Sequence, residues 1–112
     1  MTNYYNINTN DCSKYWDKNI IIQFLNDSNK FIYNGNGAFN CKSEYCIITL
    51  VYTNNFNSIA SPNDFDDNKT NYIDIVASCE LSGEMMDLLN KLAKYLNSEL
   101  VEEEWYDTNK KL

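Results

Sequence analysis

One stretch of the chain, residues 72–106, constrains the fold most, because periodicity, helix capping and charge placement agree within it. Apolar and polar side chains alternate through residues 72–80, which is the spacing of a half-buried strand. An amphipathic helix is predicted over residues 83–97, and residues 100–106 alternate again. Since a crossover between parallel strands of one sheet is right-handed, the stretch predicts a parallel strand–helix–strand unit.

The helix of this unit carries the clearest local signals. Ser82 is a residue type that caps helix N-termini, and a stripe of apolar residues with helical spacing follows it. Glu84 lies near the predicted N-terminus and Lys94 near the C-terminus, which is the charge order that the helix dipole favours. We expect the stripe to face the core; its members are Met85, Leu88, Leu89, Leu92 and Leu96.

Sequence patterns in the first two-thirds of the chain predict an arm, a hairpin, a strand and a loop. Residues 1–12 are polar and rich in asparagine, which indicates a loose N-terminal arm. Residues 30–41 contain two Asn-Gly pairs and predict a hairpin. Residues 44–53 are apolar on both faces and predict a central strand that is covered on both sides. Residues 54–71 form the longest stretch without periodicity, and such a loop is either functional or a solvated connector.

Residues 13–27 fit two kinds of element. Trp16, Ile20 and Phe24 recur every four residues, which favours a helix. The three consecutive isoleucines at positions 20–22 are β-branched and are typical of a strand. The length of the segment and its four-residue spacing favour the helix.

Together these elements predict one domain over residues 1–112 that ends in a polar tail at residues 107–112. The predicted fold class is α+β, with a mixed, mainly antiparallel sheet of four to five strands and two helices packed on it. The N-terminal sequence has neither a positively charged region nor an apolar run, so no signal peptide is visible. We therefore expect a cytoplasmic protein.

The composition argues against catalysis. The chain contains no histidine and no arginine, which removes the imidazole base, the histidine metal ligand and the guanidinium clamp for phosphate. Residues from Asp64 onward do not match an EF-hand calcium loop, because Lys69 and Ile75 occupy the positions at which such a loop requires Gly and Glu. The four cysteines show no zinc-binding spacing and are best interpreted as small buried hydrophobes, with a disulfide or a reactive thiol as alternatives. The sequence predicts no enzyme, no cofactor and no metal.

The net negative charge is concentrated in the second half of the sequence. Residues 1–56 contain four acids and four lysines, whereas residues 57–112 contain twelve acids and five lysines, a net charge of −7. A negative field repels nucleic acid and anionic membranes, and it attracts a basic protein. We therefore expect a basic protein partner, no nucleic acid and no membrane.

Two acidic clusters are candidates for the binding surface. The second cluster contains two aromatic residues, and aromatic side chains among carboxylates make good anchors against a basic surface. The competing interpretation is that both clusters only keep the protein soluble. The predicted partner-binding residues are Asp64, Asp66 and Asp67 in the first cluster, and Glu102, Glu103, Glu104, Trp105, Tyr106 and Asp107 in the second.

In size, acidity, lack of catalytic motifs and the C-terminal pattern LLNKLAKYLNSELVEEEW, the chain resembles the small acidic immunity proteins that bacteria pair with polymorphic toxins. These include the immunity proteins of contact-dependent inhibition systems. The resemblance implies a stoichiometric inhibitor that binds and neutralises a basic toxin domain, often a nuclease. We expect the chain to be a monomer or weak dimer. The alternative is a phage-type inhibitor that mimics nucleic acid and blocks a host defence nuclease. A compact acidic patch beside aromatic residues favours the first hypothesis, and a long acidic stripe favours the second.

Overall fold

A six-stranded antiparallel sheet with two helices on one of its faces forms the centre of the protein. The computed structural model describes residues 2–57 and 66–103. The strands of the large sheet follow the order β3-β4-β5-β7-β1-β8, and β2 pairs with β6 in a separate two-stranded sheet. The elements are β1 (Asn3–Asn8), β2 (Trp16–Asp17), α1 (Lys18–Asp27), β3 (Phe31–Gly35), β4 (Ala38–Cys41), β5 (Cys46–Val51), β6 (Lys69–Thr70), β7 (Tyr72–Ala77), α2 (Gly83–Tyr95) and β8 (Val101–Glu103).

The structure confirms the predicted α+β class, with more strands than expected. Residues 1–12 were expected to form a loose arm, but Asn3–Asn8 forms β1, an interior strand between β7 and β8. Tyr5 and Ile7 are buried in the core, so the short alternation of this segment is enough for a strand once neighbours supply hydrogen bonds on both sides. Both β7 and β8 run antiparallel to β1 and therefore parallel to each other, without direct pairing.

Helix α2 follows its sequence signals closely. It begins after Ser82, whose side chain accepts a hydrogen bond from the backbone N of Met85. Leu89 and Leu92 are fully buried against the sheet, and burial of one such side chain contributes about 1.5–3 kcal/mol. The predicted stripe is therefore the core-facing side of α2.

Helix α1 is shorter than predicted and turns a different face to the core. Its N-cap is Asp17, because residues 16 and 17 pair with β6 before the helix begins. Ile21 and Leu25 are fully buried, whereas Ile20 is 37% exposed. The four-residue spacing was correct for a helix, and the buried face lies one residue further along the chain.

The predicted hairpin and the following strand are confirmed. β3 and β4 pair across a turn that contains Gly35 and Gly37, both with positive φ. β5 lies inside the sheet between β4 and β7. Ile48 and Leu50 of β5 are buried under the helices, but Ile47 on the other face is only half-buried. Val51, on the same face as Ile47, is buried, so β5 is interior and covered at least in part on both faces.

A buried asparagine joins three segments at one end of the sheet. Asn71 is fully buried and accepts a hydrogen bond from the backbone N of Thr53 at 3.0 Å. Its Nδ2 donates to the carbonyl oxygens of Thr53 at 2.8 Å and Cys12 at 3.2 Å. A buried polar group is tolerated only when it is satisfied in this way. Asn71 therefore anchors both the segment before β2 and the segment after β5.

We predict that Asn71→Ala lowers the free energy of unfolding by about 2–4 kcal/mol, because it leaves buried backbone groups without partners. Urea denaturation followed by circular dichroism measures the change. Asn54→Ala, at an exposed position, serves as the control and should change stability by less than about 0.5 kcal/mol. Equal effects of the two substitutions would contradict a structural role for Asn71.

Asparagine also provides the left-handed backbone positions. Every described non-glycine residue with positive φ is an asparagine: Asn10, Asn29, Asn36 and Asn97. At the end of α2, Asn97 has φ 55°. Its backbone N donates to the oxygen of Lys94, and the backbone N of Ser98 donates to the oxygen of Ala93. This pair of bonds is a Schellman motif, which requires a residue that tolerates the left-handed region.

We predict that Asn97→Ala destabilises the protein by about 1 kcal/mol, because alanine is strained at this φ. Asn97→Gly should retain or raise the stability of the wild type, since glycine adopts positive φ without strain. Thermal and urea unfolding of the two variants provide the comparison. A loss of stability in Asn97→Gly equal to that in Asn97→Ala would show that the asparagine side chain, and not the backbone conformation, matters.

Candidate functional site

One face of the large sheet is covered by α1 and α2, and no described helix lies on the other face, where Asn6, Val51 and Tyr72 are nevertheless buried. Directly opposite residues on neighbouring strands lie on the same face, so the register defines this second surface. Asp74 of β7, for example, lies opposite Asn6 of β1 and Thr49 of β5. We call this surface the open face. It comprises Tyr4, Asn6 and Asn8 of β1, Ile47, Thr49 and Val51 of β5, Tyr72, Asp74 and Val76 of β7, and Val101 and Glu103 of β8.

A hydrogen-bond network joins three strands on the open face. Asn8 Nδ2 donates to Asn6 Oδ1 at 2.7 Å, and Asn6 Nδ2 donates to Glu103 Oε1 at 2.8 Å. The Tyr72 hydroxyl donates to the same glutamate oxygen at 2.5 Å. Burial and the nearby Glu103 carboxylate raise the pKa of Tyr72, which keeps its hydroxyl protonated as a donor. Neutral donors thus hold the Glu103 carboxylate in place without cancelling its charge.

Asp74 lies beside this network in an unfavourable environment for a charge. Burial, and then the negative charge of Glu103, raise the pKa of Asp74 from 3.8 to about 6. At neutral pH the side chain is still ionised, so the folded protein carries a carboxylate that its surroundings oppose. Asp74 and Glu103 therefore form a pair of like charges on the open face, which we call the acidic pair.

The acidic pair has no positive partner within the part of the chain that the structure describes. The salt bridge found there joins Lys30 and Glu84 and lies elsewhere. Both hydrogen bonds to Glu103 end on Oε1, and no described residue donates to its Oε2 or to the carboxylate of Asp74. These oxygens can accept hydrogen bonds from outside the chain.

The second predicted acidic cluster is divided by the alternation of β8. Glu103 lies on the open face in the network described above. Glu102 lies opposite Tyr5, on the other face of the sheet, and is exposed. The remaining predicted members lie outside the described residues: Glu104, Trp105, Tyr106 and Asp107.

Of the first predicted cluster, Asp66 contacts the start of α1 through Lys18. Asp66 Oδ1 accepts from the backbone N of Asn68 and Lys69, and the carbonyl oxygen of Asp66 accepts from the buried Lys18 at 2.8 Å. Asp67 is exposed, and Asp64 lies outside the described residues. No hydrogen bond or salt bridge in residues 2–57 and 66–103 links this cluster to Glu102 or Glu103. Asp66 therefore has a structural role in the turn.

Three residues of the site were missed as candidates: Asn6, Tyr72 and Asp74. The alternation of residues 72–80 placed Tyr72 and Asp74 on the wetter side of their strand, which was the available signal. Their proximity to Glu103 depends on β1, whose insertion between β7 and β8 was not predicted. Asn6 was missed because it belongs to β1 itself, which was not predicted to be a strand.

The cysteines lie outside this site, and all four are free thiols. Cys46 is buried, and burial raises its pKa to about 12, so it is a protonated thiol at neutral pH. Cys12 and Cys41 are half-buried and Cys79 is exposed. The prediction of small buried hydrophobes is therefore confirmed for Cys46 and wrong for Cys79.

Comparison of the chain with protein-family models, with curated proteins and with solved structures gave no match. Within residues 2–57 and 66–103, no helix has the length and apolar character needed to cross a bilayer. The same residues contain no group of three or more cysteine or acidic side chains arranged to hold a metal ion.

We predict that Asp74→Asn raises the free energy of unfolding at pH 7 by about 1 kcal/mol, a value reduced for solvent screening of a partly exposed group. Because the folded pKa of Asp74 is raised above its unfolded value, protonation favours the folded state. The stability that this group contributes is full below its unfolded pKa of 3.8 and is lost as the pH rises through about 6. Urea unfolding of both proteins from pH 4 to 8 measures the difference.

The exposed Asp67→Asn is the control, since it removes the same charge at a position outside the open face. A stability difference between wild type and Asp74→Asn that does not change with pH would contradict the raised pKa.

Proposed function

We propose that the protein is an immunity-type inhibitor, which binds a basic toxin domain through its acidic surface and neutralises it without catalysis. The observation that carries this proposal is the acidic pair. Asp74 and Glu103 are held as like charges at a cost in stability, with oxygen atoms that no described residue satisfies. A carboxyl group such as that of Asp74, whose pKa is raised by burial and a neighbouring charge, is of the kind that concentrates at functional sites.

The mechanism of inhibition is electrostatic and steric. A nuclease binds phosphate with lysine, arginine or histidine side chains, and carboxylates on a protein inhibitor occupy the same side chains. The net charge of −7 increases the rate of encounter with such a surface. The inhibitor acts in the cytoplasm of the cell that makes the toxin, as a monomer or weak dimer.

The arrangement of charge favours this function over mimicry of nucleic acid. A mimic needs carboxylates at phosphate-like intervals along an extended surface. On the open face the acidic pair lies next to Tyr72 and is flanked by Val76 and Ile47, which is a compact mixed surface. Protein interfaces combine apolar and polar side chains within one patch.

The test is co-purification from the native cell, followed by reconstitution of the captured protein with the pure chain. We expect a cationic toxin whose activity the chain inhibits at a one-to-one ratio, with affinity that falls as salt rises from 50 to 500 mM, concentrations chosen to span about a threefold change in Debye length. Asp74→Asn with Glu103→Gln should weaken binding at least about tenfold, or about 1.4 kcal/mol.

The matched control is Asp27→Asn with Asp87→Asn, which changes net charge by the same amount at exposed helical positions. Circular dichroism establishes that each variant is folded. Binding that is insensitive to salt and equal in both double variants would contradict the electrostatic mechanism. Failure of the captured protein to lose activity would contradict the immunity function.

A further inference from the structure

The β3–β4 turn contains two asparagines that are each followed directly by glycine, Asn34-Gly35 and Asn36-Gly37. In such a pair the backbone nitrogen of the glycine can attack the side-chain amide carbon of the asparagine, because glycine has no Cβ to hinder the approach. Both asparagines are exposed. The turn therefore carries two candidate sites for the same chemical modification, and their surroundings differ.

The second pair, Asn36-Gly37, is held firmly in the turn. Its residues have φ of 55° and 80°, as a type I′ turn requires. The backbone N of Gly37 donates a hydrogen bond to the Tyr33 hydroxyl at 3.0 Å. Gly37 is buried, and an added Cβ there would lie 3.0 Å from Lys18 Cε and 3.3 Å from the carbonyl oxygen of Leu50. The attacking nitrogen of this pair is therefore engaged, and there is little room around it for a ring to form.

The first pair begins at an irregular position of β3, an edge strand of the sheet. Tyr33 lies opposite Phe39 of β4 and Gly35 lies opposite Ala38, so Asn34 has no opposite residue in the register. An extra residue of this kind forms a bulge, at which the ladder of hydrogen bonds is locally disrupted. Gly35 is half-buried, and an added Cβ there would meet no atom within 4 Å. The first pair therefore has the room that the second pair lacks.

We propose that Asn34 is the site of a spontaneous modification that converts its side-chain amide to a carboxylate. The backbone nitrogen of Gly35 gives up its proton and forms a bond to Cγ of Asn34, while the Cγ–Nδ2 bond breaks and ammonia leaves. The intermediate is a five-membered cyclic imide. Water then opens one of the two C–N bonds of the imide. Opening at Cγ gives aspartate, and opening at the main-chain carbonyl carbon gives isoaspartate.

The modification changes both the charge and the backbone of the turn. Each product adds one negative charge to the formal net charge of −7. In isoaspartate the main chain also runs through the side chain, which adds one methylene group to β3. This added carbon falls at the bulge, where the register is already interrupted. The modification does not depend on the proposed function.

The test is peptide mapping of the folded full chain after incubation at mildly alkaline pH, which favours deprotonation of the attacking nitrogen. Cleavage after lysine releases residues 31–42 as one peptide, and its fragmentation in the mass spectrometer assigns the modified position. We expect Asn34 to react at least about tenfold faster than Asn36, whose glycine nitrogen reacts only after the turn opens. In the chain unfolded by urea, both asparagines simply precede a glycine and should react at similar rates.

Three variants separate the causes. Asn34→Gln should stay unmodified at position 34, because the longer side chain would have to close a six-membered ring. Asn36→Gly keeps a residue that adopts positive φ, so Asn34 should react in it as in the wild type. Tyr33→Phe removes the hydroxyl that binds the Gly37 nitrogen and keeps the aromatic ring. In this variant Asn36 should react about fivefold faster, which is the effect of losing one hydrogen bond of ordinary strength.

The wild-type measurement decides the proposal even where a variant fails to fold. Reaction of Asn36 before Asn34, or at the same rate, in the folded chain would overturn it. So would an intact Asn34 in the folded chain over a period in which the unfolded chain is modified. An unchanged rate at Asn36 in a folded Tyr33→Phe variant would overturn the explanation that the hydroxyl protects this position.

Discussion

The pairing of β1 with strands on both of its sides is the interaction on which the rest of the structure depends. Asn3–Asn8 pairs along its length with β7 and at one end with β8. Its alternation buries Tyr5 and Ile7 under the helices and turns Asn6 and Asn8 to the open face. Without β1, the two strands that flank α2 would have no common neighbour and Glu103 would have no contact with Asn6.

The same pairing creates the repulsion between the carboxylates of Asp74 and Glu103. It brings Glu103 from the end of the described chain onto the surface that carries Asp74. The tyrosine and asparagine donors hold the glutamate, but they supply no positive charge. The folded state therefore bears a repulsion that a hydrophobic or neutral residue at position 74 would avoid. Proteins commonly give up stability in this way at functional sites.

The abundance of asparagine has a structural use beyond composition. Asparagine is frequent, with 19 positions in the chain. The structure places four of them in left-handed backbone positions and buries Asn71 as a satisfied cross-link. A short side chain with a donor and an acceptor suits both tasks. The chain has only three glycines, and asparagine adopts the left-handed backbone conformation at helix ends and turns where glycine is common.

The sequence by itself determined the elements whose signals are local. The cap at Ser82, the stripe of α2 and the Asn-Gly pairs of the β3–β4 turn involve residues a few positions apart, so they are readable without a fold. Only the tertiary structure decided that Asn3–Asn8 is an interior strand, that α1 begins after Asp17, and that Asp74 meets Glu103. Each depends on pairing between segments far apart in the chain. Local alternation can predict a strand, but it does not show which other strand that strand pairs with.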